Sequence, residues 1–315
     1  MTPTPAASDT PVVALYGATA LGKTEVALEL AERLGADIVV ADSMQLYRGL
    51  PIVTNQPDAS QRARARHHLV GFVSPHEEYT VAEYARRAHE VIDGLLAQGR
   101  PVIVEGGSGL YLRATLGGLE FGAPPDGALR SALEESWARD PQGLLDELRR
   151  GDPVALARLD VRNPRRVVRA VEALRAGQRA PAAAGGRLWA AGDRYRHRLL
   201  ALVPDDDRSA LKGRIEARVD AMLALGALEE VERVKEEGEL SATVRQAIGV
   251  RELLAVLDGS LALPDAGASM KTRTRALARR QLTWMRKLPE AALVAAGRSP
   301  AATADHILRL LREPA

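Results

Sequence analysis

Cysteine is absent from the 315 residues of the chain. That absence excludes disulfide staples, a thiolate nucleophile, zinc–thiolate sites and iron–sulfur clusters. No apolar run reaches the roughly 18 residues that a membrane span needs. The first ten residues, MTPTPAASDT, carry neither a basic leader nor an apolar stretch of the kind that directs secretion. Lysine is also scarce, since 38 of the 43 basic residues are arginine, and 41 acidic residues bring the net charge to only +2. What remains is 46% hydrophobic and 27% charged with a mean hydropathy of -0.14, the composition of a globular protein with a sizeable core. The expectation is a cytoplasmic enzyme of one large domain or two coupled ones, with no membrane association.

Short apolar runs alternate with helical periodicity along the first third. PVVALYG at 11–17, ADIVVADS at 36–43 and PVIVEGG at 101–107 are β-branched and end in small or polar residues. EVALELAERLG and a stretch around Val81 to Gln98 space their apolar residues as helices do. This pattern predicts a parallel sheet covered on both faces, with any site on the rim at the carboxyl ends of the strands. Gly17 to Thr24, Asp42 to Gln45 and Glu105 to Ser108 all fall on that rim. Residues 120–195 turn helical and Arg-rich, with loops at Gly122 to Gly127 and in GQRAPAAAGG at 177–186. RHRLLALVP at 196–204 reads as a strand returning to the sheet, and 208–238 as one long amphipathic helix. The layout is a core in two parts, 11–118 and 196–312, around a mainly helical insertion at 119–195, with loose ends at 1–10 and 313–315.

GATALGKT at 17–24 fits G-x-x-x-x-G-K-[ST] between a strand and a helix, the context a P-loop requires. Its backbone amides and helix N-terminus cradle phosphate, Lys23 adds a point charge, and Thr24 can place its hydroxyl on Mg²⁺. The expected fold is therefore α/β, with a P-loop NTPase-like parallel sheet core. Two strand-end acids, Asp42 and Glu105, are candidates for a metal ligand or a general base. Each could instead serve the structure, Asp42 by capping its turn. Ser43 and Gln45 offer neutral hydrogen bonds beside Asp42, and Ser108 in GGSGLY could donate to a phosphate oxygen. His67 and His68 lie among arginines with no carboxylate pair to complete a metal site, and read as a solvated or polyanion-facing turn. Met44 and Met222 are expected in the core. Residues 271–287 hold seven Lys/Arg and no acid, beside Trp284, and 162–179 hold six Arg against one Glu. Both suit a polyanion, RNA in particular.

Taken in order, GATALGKT, ADSMQLYRGLPI, RHHLVGF, EGGSGLYLRATLGGL, NPRRVVRAVEAL, RIEARVDAMLALGALEEV, RQAIGVREL and TRALARRQLTWMRK resemble the tRNA dimethylallyltransferases, or isopentenyl-tRNA transferases, of bacterial type. The resemblance runs over about residues 12–287. It implies transfer of a dimethylallyl group from dimethylallyl diphosphate to N6 of the adenosine 3′ of the anticodon, position 37, in tRNAs that read codons beginning with U. Asp42 would be the base that takes the N6 proton, and Ser108 would bond the bridging diphosphate oxygen. Gly17, Ala18, Thr19, Ala20, Leu21, Gly22 and Lys23 would grip the diphosphate together with Arg218, and Thr24 would carry Mg²⁺. The base must be flipped out of the anticodon loop. Asp42, Ser43, Met44, Gln45, Ser108, Arg165, Arg166, Arg169, Arg245, Gln246, Gly249, Arg279, Arg280, Gln281 and Trp284 match the tRNA-contacting segments. A monomer acting on tRNA is expected.

Three departures from the family pattern stand out. The usual G-P-T-A-S-G-K-T is here GATALGKT, PIVTNQP replaces a D-I-G-T-x-K-P pattern, and Val250 takes the place of a frequent Tyr. Read without the resemblance, the same rim also fits a small-molecule or nucleotide kinase, or an NTP-switched RNA-binding protein.

Overall fold

The computed structural model describes residues 12–117, 127–177, 192–204, 208–286, 288, 291–296 and 299–312. They form two compact units, one from the segments up to Leu116 and from Tyr195 onward, the other within Gly117–Arg194.

The larger unit is built on six parallel strands. These are β1 (Val12–Gly17), β2 (Asp37–Val40), β3 (His67–His68), β4 (Val102–Gly106), β5 (His197–Val203) and β6 (Ala292–Ala295), in the spatial order β3-β2-β4-β1-β5-β6. β1, β2 and β4 are buried at every position, which is why they read as unbroken apolar runs rather than alternating ones. Before the insertion come α1 (Lys23–Leu34), α2 (Pro51–Thr54), α3 (Ala59–Arg64), α4 (Val81–Ala97) and α5 (Gly109–Leu116). On one sheet face Val13, Leu15, Ile38, Val40, Ile103, Leu200 and Leu202 share a core with Val26 and Leu30 of α1. On the other, the Tyr84 hydroxyl of α4 donates to the Val40 carbonyl at 2.9 Å. Its ring packs on Tyr111 of α5 at 4.6 Å between centroids.

The smaller unit carries α6 (Gly127–Arg139), α7 (Pro141–Gly151), α8 (Pro153–Arg158) and α9 (Pro164–Arg175). Leu133, Leu144, Leu148, Val167, Val168 and Val171 form its own core. Asn163 caps α9 by accepting from the Arg166 amide, with Pro164 in the first turn where its missing N–H costs nothing. The chain then continues through α10 (Arg208–Ala224), α11 (Ala227–Glu236), α12 (Ala242–Arg245), α13 (Val250–Leu257), α14 (Leu263–Met285) and α15 (Pro300–Arg312).

Some expectations are corrected. The single helix over 208–238 is two, α10 and α11, broken at Gly226, whose φ of 95° a helix cannot hold. His67 and His68 are not a turn but β3, at the sheet edge. His68 Nε2 lies 2.8 Å from Asp37 Oδ2, and Asp37 is also paired with Arg100. Met44 and Met222 are half-buried rather than core. β6, a bare ALVA, carries no sequence signal of its own. The loop expected at Gly122 to Gly127 lies outside the described residues up to 126, and Gly127 itself starts α6. Most of the 177–186 stretch and the terminal segments 1–10 and 313–315 also lie outside them.

Candidate active site

The P-loop leaves β1 at Gly17 and enters α1 at Lys23. Ala20 and Gly22 both take left-handed backbone, with φ of 63° and 76°, which turns successive amides inward as an anion nest requires. Lys23 Nζ donates to the Ala18 carbonyl at 3.1 Å. Burial lowers its pKa, and Glu105 is the largest opposing influence. Two arginines of α10 reach the loop: Arg218 donates to Thr19 Oγ1 at 3.2 Å and Arg214 to the Ala20 carbonyl at 3.0 Å. They sit four residues apart, on one helix face.

Both strand-end acids belong to this cluster. Asp42 Oδ1 accepts from the Met44 and Gln45 amides at 2.8 and 3.4 Å, so the turn-capping role is real. Its second oxygen makes no hydrogen bond among the described residues. The charge of Asp42 acts on both Lys23 and Arg218, so one oxygen anchors the turn while the carboxylate belongs to the charge cluster around the phosphate loop. Glu105 is 3% exposed. Its Oε1 lies 3.3 Å from Thr24 Oγ1, and burial pushes its carboxyl pKa up against the pull of Lys23. Beside them Gln45 Oε1 is shielded from solvent with no hydrogen-bond partner among the described residues. Ser43 and Met44 are half-buried.

The glycines of GGSG are explained by what touches them. A Cβ on Gly106 would lie 2.1 Å from the Ala41 carbonyl oxygen, one on Gly107 2.4 Å from Gln281 Nε2, and one on Gly109 2.4 Å from the Trp284 ring. β4 thus ends flush against the end of β2, and α14 lies directly over the turn. Ser108 is left half-buried at the rim. Gln281 Oε1 accepts from the Thr19 amide at 2.8 Å, its Nε2 donates to the Gly107 carbonyl at 2.9 Å, and its own carbonyl accepts from the Tyr16 hydroxyl at 2.9 Å. Gln281 was expected on an RNA-facing surface. It is instead buried, and its carboxamide ties the P-loop to the GGSG turn.

The basic helix α14 is less cationic than its sequence. Lys271 pairs with Asp220, Arg273 with Glu252 and Arg275 with Glu216. Arg279 and Arg280 are exposed and have no ion-pair partner among the described residues, and with Ala276, Thr283 and Trp284 they line an open groove. Glu252 also accepts from the Gly249 amide, while Arg273 donates to the Gln246 carbonyl. The 245–249 segment is thereby pinned to α14 with Arg245 and Gln246 exposed and Gly249 buried. Glu230 of α11 accepts from the Ile52 and Val53 amides at 2.8 Å each, capping α2 within the segment that departs from the family pattern. Arg165, Arg166 and Arg169 are exposed on α9 in the smaller unit. Sequence reasoning missed Arg214, legible from its four-residue spacing to Arg218, and the Glu252 and Glu230 tethers, which carry no local signal.

An anion nest at the end of β1, two acids at the ends of neighbouring strands and a short cationic groove define a P-loop protein of the NTPase-like fold, with two carboxylates beside its loop. Residues 45–288 match the IPP transferase family model, and the chain belongs to that family. Over 286 residues it is 41% identical to a tRNA dimethylallyltransferase of Thermomicrobium roseum, covering 89% of this chain and 84% of the relative. It is also 41% identical to one of Anaeromyxobacter sp. (strain K), covering 94% and 97%. Among solved structures it resembles the full-length tRNA isopentenylpyrophosphate transferase of Bacillus halodurans, with TM-score 0.68 and 29% identity over 97% of this chain and 100% of that one. A eukaryotic dimethylallyltransferase captured acting on tRNA gives TM-score 0.78 at 25% identity, over 96% and 78%.

Proposed function

We infer that this protein transfers the dimethylallyl group of dimethylallyl diphosphate to N6 of the adenosine at position 37, 3′ of the anticodon, in tRNAs reading UNN codons. The reading includes a monomer working in the cytoplasm. The observation that carries it is the standing of Asp42 in one charge cluster with Lys23 and Arg218, in a chain of this family. Such a cluster suits a displacement in which one group leaves as an anion while the attacking amine sheds a proton. The N6 nitrogen attacks the methylene carbon that carries the diphosphate, and the bond from that carbon to the diphosphate oxygen breaks. The electron pair leaves with diphosphate, and the N6 proton passes to Asp42.

The loop amides after Thr19, Lys23 and Arg218 stabilise the departing negative charge, and the Ser108 hydroxyl bonds the bridging oxygen. Oδ1 of Asp42, bonded to the Met44 and Gln45 amides, keeps the carboxylate aimed, so Oδ2 receives the proton. Mg²⁺ would add Lewis-acid neutralisation of the diphosphate when bound. The residues fit that ion, since the Thr24 hydroxyl faces a carboxylate oxygen and hard oxygen donors are what Mg²⁺ takes. Arg279, Arg280 and Trp284 would receive the anticodon stem-loop, with Arg245 and Gln246 extending that surface.

The test is incubation with Mg²⁺, labelled dimethylallyl diphosphate and the unmodified anticodon stem-loop of a UNN-reading tRNA, then nuclease digestion and chromatography. Label is expected in N6-(dimethylallyl)adenosine, and Asp42→Ala is expected to abolish it while stem-loop affinity stays within a few-fold. No label, with ATP consumed instead, would return the protein to the kinase reading.

A further inference from the structure

Glu105 is a buried acid that the proposed reaction leaves without a part. Its strand, VIVEG, is apolar up to that residue and is hydrogen-bonded directly to β1, with Leu15 opposite Glu105 in register. Asp42 by contrast follows β2, which pairs with β4 and not with β1. In P-loop proteins the cation is shared between the loop hydroxyl and an acid at the end of a neighbouring strand. Here that hydroxyl, Thr24 Oγ1, faces Glu105 Oε1 at 3.3 Å.

The charges of the cluster lead to the same residue. Lys23 and Arg218 balance Asp42 and Glu105 while the loop holds no anion. A diphosphate claims Lys23 and Arg218 and adds more negative charge than Arg214, the other cation reaching the loop, can offset. A carboxylate buried to this degree needs a compensating cation, and Lys23, the cation Glu105 feels most, is then committed to the ligand. The Asp42 carboxylate is held by two amides, which stabilise it without a cation.

We propose that Glu105 is the carboxylate ligand that joins Thr24 in holding a divalent cation against the diphosphate, leaving Asp42 as the proton acceptor. The inference rests on the transferase reading for the identity of the anion, though not for the cation site itself. Its test is Mn²⁺ binding, followed by electron paramagnetic resonance in the presence of inorganic diphosphate, for the wild-type protein, Glu105→Gln, Glu105→Asp and Asp42→Asn.

Loss of a metal ligand is expected to weaken Mn²⁺ by ~10-fold or more, since even outer-shell changes cost 10–100-fold. Glu105→Asp, which keeps the charge but shortens the reach, should fall between. Asp42→Asn should stay within about threefold. If Glu105→Gln does not fold, a Glu105→Asp protein with a cooperative melt decides: weakened Mn²⁺ supports the assignment and unchanged Mn²⁺ overturns it. Retention in Glu105→Gln with loss in Asp42→Asn also overturns it, by making Asp42 the metal acid. Prenyl transfer by the wild-type protein in excess chelator would remove the cation altogether while leaving the transferase standing. Conversely, Glu105-dependent Mn²⁺ binding in a protein that never prenylates the stem-loop would sink the transferase reading alone.

Discussion

Replacing Gln281 by leucine tests whether α14 is tied to the phosphate loop or merely lies beside it. The substitution keeps volume and apolar bulk but removes the acceptor of the Thr19 amide and the donor to the Gly107 carbonyl. Leaving a buried partner unsatisfied costs about 1–3 kcal/mol per group. The Thr19 bond is only part-buried, so water recovers some of its share, and the sum is about 2–4 kcal/mol. At roughly 1.5 °C per kcal/mol for a chain of this length, the melting temperature should drop by about 3–6 °C. The loosened Thr19 amide should also weaken Mg²⁺–diphosphate, and a tenfold loss would remove about 1.4 kcal/mol of ligand stabilisation. Calorimetry with and without diphosphate reads both effects, and filter binding reads the stem-loop separately. An unchanged melt and unchanged diphosphate affinity, with weaker stem-loop binding, would refute the tie and return Gln281 to the RNA surface.

Arg280→Ala should weaken stem-loop binding and lower the slope of log affinity against log salt by about 1. Arg275→Ala should leave that slope nearly unchanged, because its guanidinium already belongs to Glu216; equal slopes for the two variants would contradict this sorting. Ala20→Gly should stabilise the protein by about 0.5–1 kcal/mol, seen as a higher urea midpoint, because alanine is held at a φ of 63° that glycine adopts without strain. A lower midpoint would deny the left-handed turn. Burial lowers the His67 pKa below 6.5, so its unfolded state binds the extra proton and stability is lost as pH falls through the folded pKa. The loss of melting temperature between pH 7.5 and 5 should accordingly be smaller in His67→Gln than in the wild type.

The strands that position the site were readable because burial on both faces leaves β1, β2 and β4 as continuous apolar runs. β3 and β6 were not, since two histidines or a bare ALVA become strands only by pairing with β2 and β5. The break at Gly226 had a local cause, a glycine at positive φ, that helical periodicity on both sides concealed.

Site residues were legible by type and position but not by division of labour. Sequence placed two acids on one rim, and only the pairing of β4 with β1 and the approach of Thr24 distinguish Glu105 from Asp42. The net cation content of α14 was equally out of reach. Its acids are Asp220 and Glu216, 51 and 59 residues before their partners, and Glu252, 21 before Arg273. Within α14, Arg279 and Arg280, next to Trp284 and the GGSG turn, are left without an ion-pair partner among the described residues. On the proposed reading, an RNA drawn by those two arginines would be delivered where Gln281 already joins the helix to the phosphate loop, and binding and chemistry would share one short stretch of one helix.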